Sequence, residues 1–287
     1  MPSVRQISRR IRSVQNTAKI TKAMSMIAAS KLRRSQDAAT QGRAYADSMA
    51  AMVSNVIGQV QSDESTQALM QEREIRNRGL VLITPDRGLT GGLNGNLIRA
   101  ASDFIGLEES AVKVVAVGKK GLDFSRRNNL EILGETTGLT DRPTPSDTRS
   151  VSDIMINSFK EAVVDSFHIV YAQFVNTTVQ RAVTSQLVPV VVEENSSGST
   201  GPGYIYEPSA DGVLSELLPR YVQTLVHHAV LEGNASEQSA RMVAMNQATD
   251  NANSMVDDLT LLMNKIRQET ITKELLDIVG GVAALEN

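Results

Sequence analysis

No proline stands between Pro2 and Pro85, and none follows Pro219, in a chain of 287 residues. In both stretches small or apolar side chains return at alternating spacings of three and four. In the first they are Val4, Ile7, Ile11, Val14, Ala18, Thr21, Ser25, Ala28 and Leu32. In the last they are Met245, Thr249, Ala252, Val256, Leu259, Met263, Ile266 and Thr270. This is a heptad seam, the pattern of a helix that buries one narrow stripe against another helix. The expected helices run from about Ser3 to Gly58 and from about Ser209 to Leu285. Ser3 with Gln6 reads as a capping box. Gly42 is a weak point, costing roughly 1 kcal/mol against alanine. Pro219 either kinks the early part of the last helix or marks its first turn. A second apolar stripe on the first helix carries Ile20, Met24 and Ile27. At 1.5 Å per residue the helices would span roughly 80 and 110 Å. A compact globule of this length is only about 50 Å across. An elongated protein is therefore expected.

Charge supports pairing of the two ends. Residues 1–45 carry Arg5, Arg9, Arg10, Arg12, Lys19, Lys22, Lys31, Arg33, Arg34 and Arg43 against Asp37 alone. The final region is net acidic, with Asp250, Asp257, Asp258, Glu269, Glu274 and Asp277 among its charges. Opposite fields favour association and help set register. An antiparallel pair is the natural arrangement, because whatever lies between must return the chain.

The middle, from about Arg78 to Glu193, changes character. Residues 79–84, 112–118, 167–174 and 182–192 read as strands, with helical stretches at about 94–106 and 151–165. This alternation predicts a small Rossmann-like α/β domain with a largely parallel sheet. The fold class is thus α/β: a long antiparallel coiled coil of the terminal helices plus that domain. Residues 1–58 and 209–287 are assigned to the coiled coil and 78–193 to the α/β domain. Residues 59–77 and 194–208 are the connecting segments, the second holding the Gly- and Ser-rich run from Asn195 to Gly203.

Several chemistries are excluded or weakened. The absence of cysteine removes disulfides, thiol nucleophiles and thiolate metal sites. The formal net charge of −3 does not mark a nucleic-acid binder. No apolar run approaches the roughly 20 residues of a membrane span. The N-terminus lacks the apolar core of a secretory signal, and its amphipathic pattern continues far beyond a transit peptide. The histidines are His168, His227 and His228. Neighbours on a helix point about 100° apart, so the last two do not share a metal easily. No catalytic motif stands out, and no catalytic, cofactor or metal site is expected.

Two turns could hold an anion. The run from Thr84 to Gly95, Thr-Pro-Asp-Arg-Gly-Leu-Thr-Gly-Gly-Leu-Asn-Gly, follows a strand and opens a helix, as a phosphate loop would. It lacks the Gly-Lys-Ser/Thr ending and the glycine spacing of such loops, so it reads as a tight strand-to-helix turn. Residues 117–121, Val-Gly-Lys-Lys-Gly, are read in the same way. The basic N-terminal helix could face nucleic acid or an anionic membrane, but an acidic partner helix accounts for it better. The tip from Ile278 to Ala284 is small, apolar and almost uncharged, so it either packs on its own domain or sits in an apolar socket of a partner, and a shaft of the expected length leaves little surface for the first.

Four motifs, in order, carry a family resemblance. Ser13 to Arg33, Thr84 to Asn94, Ala235 to Asn253 and Ile271 to Ala284 resemble the N-terminal helix, central turn, C-terminal helix and closing signature of the F-type ATP synthase gamma subunit, bacterial type. Thr90 stands where some members have cysteine, Pro85 departs from the usual residue, and the cysteine insert of chloroplast members is absent. The resemblance implies a non-catalytic central rotor stalk, one copy per complex, that couples transmembrane ion flow to ATP synthesis and hydrolysis. The implied partners are three alpha and three beta subunits, the epsilon subunit and the c-ring, with no nucleic acid and no cofactor. The implied location is peripheral, at the cytoplasmic face of the inner membrane. By the same resemblance Met24, Arg241, Arg267, Gln268, Thr272 and Glu274 are expected to contact beta subunits. Tyr204, Tyr206 and Glu207 are expected near epsilon and the c-ring. A non-rotating coiled-coil adaptor and a nucleotide-dependent enzyme are the alternative readings.

Overall fold

The structure, a computed structural model, describes residues 3–58, 68–106, 110–191, 206–207 and 209–285, with residues 281–285 by backbone alone. Two helices dominate, α1 over Val4–Ile57 and α5 over Ala210–Leu285. The capping box at the start of α1 is formed: Ser3 N donates to Gln6 Oε1 at 2.9 Å, and Gln6 N to Ser3 Oγ at 3.3 Å. Pro219 lies inside α5, which continues through it. Its neighbours Leu214, Leu218 and Val222 are all in the core, so packing holds the backbone helical where one hydrogen bond is missing. Contacts divide the chain into two compact units.

The first unit takes in residues 1–27 and 242–287. Here α1 and α5 pair antiparallel. Ile7, Ile11 and Ile266 bury one another, with Val4, Val256, Leu259 and Met263 packed around them. The predicted seam continues through Ala18, Thr21, Ser25, Met245, Thr249 and Ala252, all buried. Two polar pairs pin its register. Thr21 Oγ1 lies 2.7 Å from Thr249 Oγ1, and Ser25 Oγ donates to Asn246 Oδ1 at 2.5 Å. Slipping one residue would leave these hydroxyls buried without partners. Thr270, read as the last seam position, is exposed, because α1 begins at Val4, opposite Ile266, and offers nothing further to bury it.

The second unit, residues 28–241, holds a five-stranded sheet of order β3-β2-β1-β4-β5. The strands are β1 Asn77–Ile83, β2 Ala111–Val117, β3 Glu131–Thr136, β4 Ser166–Phe174 and β5 Gln180–Val188. Three neighbouring pairs are parallel, and β5 runs antiparallel to β4 at one edge. The helices between strands are α2 Leu93–Gly106, α3 Lys119–Arg127 and α4 Pro145–Lys160. Val81 and Ile83 face one core with α4 and the stretches Val53–Val56 of α1 and Leu214–Val230 of α5. Leu80 and Leu82 face the other with α2 and α3. A strand covered on both faces reads as a continuous apolar run, which is why β1 and β2 were visible in the sequence.

Two elements were not expected. Residues 117–121, read as a turn, contain the first turn of α3, which is only nine residues long and carries an internal glycine. At the opposite edge, β3 is polar, partly buried and interrupted by Gly134, so it shows neither strict alternation nor an apolar run. A Cβ on Gly134 would stand 2.6 Å from Ile154 Cδ1, so the glycine lets α4 approach the strand. Helix α4 starts at Pro145 rather than near 151, because Asp147 Oδ2 accepts from Thr144 N at 2.7 Å and proline sits at the first turn. Among the described residues no helix is long and apolar enough to cross a membrane.

Candidate partner interfaces

In the first unit the side chains that α1 and α5 do not use on each other form two exposed sets. On α1, Ile20, Met26 and Ile27 are each more than half exposed, and Met24, half-buried, lies beside them at the seam's margin. The second stripe read from the sequence is therefore not core. Along α1, Arg5, Arg9, Arg10, Arg12, Lys19 and Lys22, and in the second unit Arg33 and Arg34, form no salt bridge among the described residues. Among the described residues the expected charge pairing between the terminal helices is confined to one contact, Arg43 with Glu232. On α5 every described side chain beyond Ile266 is exposed. Arg267, Gln268 and Glu274 stand in that stretch with Ile271, Leu275, Leu276, Ile278 and Val279. Thr272 is there too, its hydroxyl donating to Gln268 O at 2.9 Å, which leaves the Gln268 amide side chain undisturbed.

The other expected contact residues belong to the second unit. Arg241 is largely engaged within the chain: it bonds Glu237 Oε1 at 2.7 Å, Gln238 Oε1 at 3.3 Å and the carbonyl of Gly88 at 3.4 Å, and its side chain is 12% exposed. It thereby ties the central turn to α5. Tyr206 packs on the core, Glu207 is exposed, and Tyr204 lies outside the described residues, as does the expected loop from Asn195 to Gly203.

The central turn is built as a staple. Asp86 accepts from Lys119 N at 2.8 Å and from Gly138 N at 2.9 Å, joining the loops that follow β1, β2 and β3. Thr84 Oγ1 accepts from Gly121 N at 2.7 Å. These backbone donors are the ones a phosphate would need, and side chains of the chain already occupy them. In doubly wound sheets ligands bind beyond the carboxyl ends of the strands, where the strand order reverses. Here that point lies between β1 and β4, and Gly233, Asn234 and Glu237 of α5 cover it. The remaining crevice has a volume of about 20 Å³, room for little more than a water molecule and far below the roughly 300–1,000 Å³ of small-molecule pockets. Burial pushes the Glu237 carboxyl up, with Arg241 opposing.

Comparison with known proteins decides between a stalk, an adaptor and an enzyme. A family model described as ATP synthase matches residues 3–285. The ATP synthase gamma chain of Dehalococcoides mccartyi is 46% identical over 285 residues, covering 99% of this chain and all of the relative. That of Chloroflexus aurantiacus is 45% identical, covering 99% of each. This chain belongs to the ATP synthase gamma-chain family. As a member it is a central-stalk subunit of an F-type ATP synthase and not itself the catalyst. The fold agrees: a chain in the Euglena gracilis mitochondrial ATP synthase, solved with OSCP, F1 and c-ring, superposes with a TM-score of 0.68. That match covers 98% of this chain and 94% of the other, at 19% identity.

One charged group of this gamma-chain member was missed by sequence reasoning. Glu232 is 1% exposed. Its Oε1 takes a hydrogen bond from Arg43 of α1 and lies 3.3 Å from His228 Nε2, and its Oε2 accepts from Phe174 N at 3.2 Å. Burial alone pushes this carboxyl up, but the hydrogen bonds and charges of His228 and Arg43 outweigh it and hold it below its ordinary value. A depressed carboxyl contributes stability above its unfolded pKa and loses it as pH falls through the folded one. The contribution is complete at neutral pH and is lost in the acid range, below about pH 4. Glu232→Gln is therefore expected to flatten the acid limb of stability against pH, read by thermal melting from about pH 7 to 3. An acid limb as steep as the parent's would contradict this assignment.

Proposed function

We propose that this subunit is the rotor on which ion flow through the membrane and ATP turnover in the alpha and beta ring are coupled, and that its contacts divide by surface. The observation that carries the proposal is the end of α5. Among the described residues it has no helix partner beyond Ile266, and it exposes Leu275, Leu276, Ile278 and Val279 in one stretch. An apolar helix end of this kind needs a socket. A ring of alpha and beta subunits supplies one, and the mostly apolar surface lets the end turn within it. Arg267 and Gln268 give the directional polar grips on a beta subunit, with Thr272 and Glu274 beside them. Met24, among Ile20, Met26 and Ile27, forms an apolar contact with another part of a beta subunit. Arg241 reaches the ring through the central turn that it holds. Tyr204, Tyr206 and Glu207 belong to the foot, near the epsilon subunit and c-ring. Residues 1–58 and 209–287 act as the shaft and 78–193 as the body that is turned. The protein works peripherally, on the cytoplasmic face of the inner membrane, one copy per complex.

Reconstitution with alpha and beta subunits tests this reading. The parent chain is expected to assemble and to support ATP hydrolysis with rotation of a bead fixed to the α/β body. Arg267→Ala with Gln268→Ala is expected to lower coupled turnover roughly tenfold or more, the loss of at least one charge-assisted contact. Both side chains are exposed, so the melting temperature of the free chain should not move. No assembly with the parent chain would refute the rotor reading, and full turnover in the double variant would refute the assigned grip.

A further inference from the structure

A rotor whose body carries the load must not slip on its own helices, and one stretch of the second unit meets that need. From Ala229 to Ala240, α5 is buried on almost every side. Four of the buried residues are polar, Gln238 at 5% exposure and a set of three, Glu232 at 1% and Ser236 and Ser239 at 0%. The spacing of the three, i, i+4 and i+7, places them on one face of the helix.

That face meets the end of β4. The last β1 partner of β4 is Val170, whereas β4 continues to Phe174. Beyond Val170 the sheet no longer satisfies one edge of β4, and α5 takes over. Ser236 Oγ donates to the carbonyl of Ala172 at 2.9 Å, and Glu232 Oε2 accepts from Phe174 N at 3.2 Å. Ala172 and Phe174 are two residues apart, on the same edge of the strand. Ser239 Oγ then donates to the carbonyl of Thr177 at 2.6 Å, in the β4–β5 turn, and accepts from Gln180 Nε2 at 3.3 Å. Side chains of α5 thus continue the ladder that β1 leaves off. Through its other oxygen Glu232 holds Arg43, so α1 is tied to the same point.

We propose that Glu232, Ser236 and Ser239 are the torque-bearing seam of this rotor, the residues that stop α5 from twisting or sliding against the α/β body under load. Apolar packing is not directional and tolerates small slippage. Hydrogen bonds to buried backbone groups depend on angle and distance, and a shifted helix would leave a carboxylate, hydroxyls and strand carbonyls unpaired. The result is a stiff joint. The assignment rests on the rotor reading above and adds to it the place where the body grips its helix.

The test uses the reconstituted ring of alpha and beta subunits with this chain, held in a stalled state, and a bead fixed to the α/β body. The thermal variance of the bead's angle measures torsional compliance. Ser236→Ala with Ser239→Ala removes three of the four polar ties between α5 and the β4–β5 hairpin and keeps strong helix formers. Angular variance is expected to rise more than roughly twofold, because the remaining contacts are mostly non-directional. Unloaded ATP hydrolysis should stay at the parent rate. Glu232→Gln, which keeps an acceptor for Phe174 N and loses the charge and the acceptor that Arg43 uses, should fall between parent and double variant. Parent-like variance in the double variant would overturn the proposal. So would a rise in Glu232→Gln with no rise in the double variant, which would assign the effect to the Arg43 ion pair alone. A parent chain that neither assembles nor rotates would instead overturn the rotor reading.

Discussion

Replacing Gly118 by alanine is expected to destabilise the α/β body by about 2–6 kcal/mol, adding strain of roughly 1–3 kcal/mol for a non-glycine residue at positive φ to overpacking of similar size. Gly118 has φ +91°, and a Cβ there would lie 1.8 Å from the carbonyl oxygen of Thr84 and 2.8 Å from its carbon. Neither partner can give way easily. Thr84 N is bonded to Val117 O at 2.8 Å, and Gly118 N to Thr136 O at 2.8 Å. Thr84 Oγ1 also receives Gly121 N. A shift that relieved the clash would break the junction of β1, β2 and β3 that Asp86 staples. Against the roughly 5–15 kcal/mol by which domains are stable, the loss is large. Gly88→Ala is the matched control: a Cβ there meets nothing within 4 Å. It should change stability by no more than about 0.5 kcal/mol. Chemical denaturation of the two variants measures the contrast, and equal midpoints would show that the junction is looser than its geometry implies.

The terminal helices were legible because their seam obeys one rule wherever they pair. Beyond Leu32, where it was first traced, the alternation continues through Ser35, Ala39, Gly42, Ala46, Met49, Val53 and Val56, of which only Gly42 is not fully buried. Small residues at these positions hid it from a reading weighted to apolar side chains. Gly42 is not merely a weak point: a Cβ there would stand 2.9 Å from Leu231 Cδ1, so the glycine permits close approach of the helices. Charge was legible as a sum but misleading as a mechanism. The opposed fields are real, yet register is held by Thr21 with Thr249 and Ser25 with Asn246, and apart from Arg43 the arginines of α1 form no salt bridge among the described residues. In the body, β1, β2, β4 and β5 announced themselves by apolar or β-branched runs. Edge strand β3 and the short α3 did not, because Gly134 and Gly121 exist for tertiary approach that no local pattern records.

The contact residues show a different limit. Periodicity marks Arg267 and Gln268 only as off-seam positions, and their expected roles came from the family resemblance. Ser236 and Ser239 sit within a recognised motif, but their use depends on where β4 ends relative to β1, a non-local fact. Arg241 looked like one more exposed polar contact until the carbonyl of Gly88 was placed beside it.

The second large effect separates what folds this chain from what it presents to others. Phe159→Ala is expected to cost about 3–5 kcal/mol, the range for a fully buried phenylalanine whose cavity does not collapse. Phe159 has 0% exposure and lies in the core shared by α4, the sheet, α1 and α5. Arg73 stacks over its ring at 4.9 Å from Cζ to the centroid and donates to its carbonyl at 2.9 Å, so the loss would also loosen the segment before β1. In a unit of this size the shift in melting temperature should be roughly 10 °C. Leu276→Ala removes a side chain of comparable apolar character from the unpartnered end of α5, where it is 66% exposed. The free chain should melt within about 0.5 kcal/mol of the parent. In the assembled complex the order reverses in kind: a refolded Phe159 variant should still engage the ring, whereas Leu276→Ala should weaken assembly or turnover. Thermal melting of both free chains, followed by ATP hydrolysis after reconstitution, decides the matter. If Leu276→Ala lowered the free chain's melting temperature as Phe159→Ala does, the end of α5 would be packing on its own chain, and the socket proposed for it would have no reason to exist.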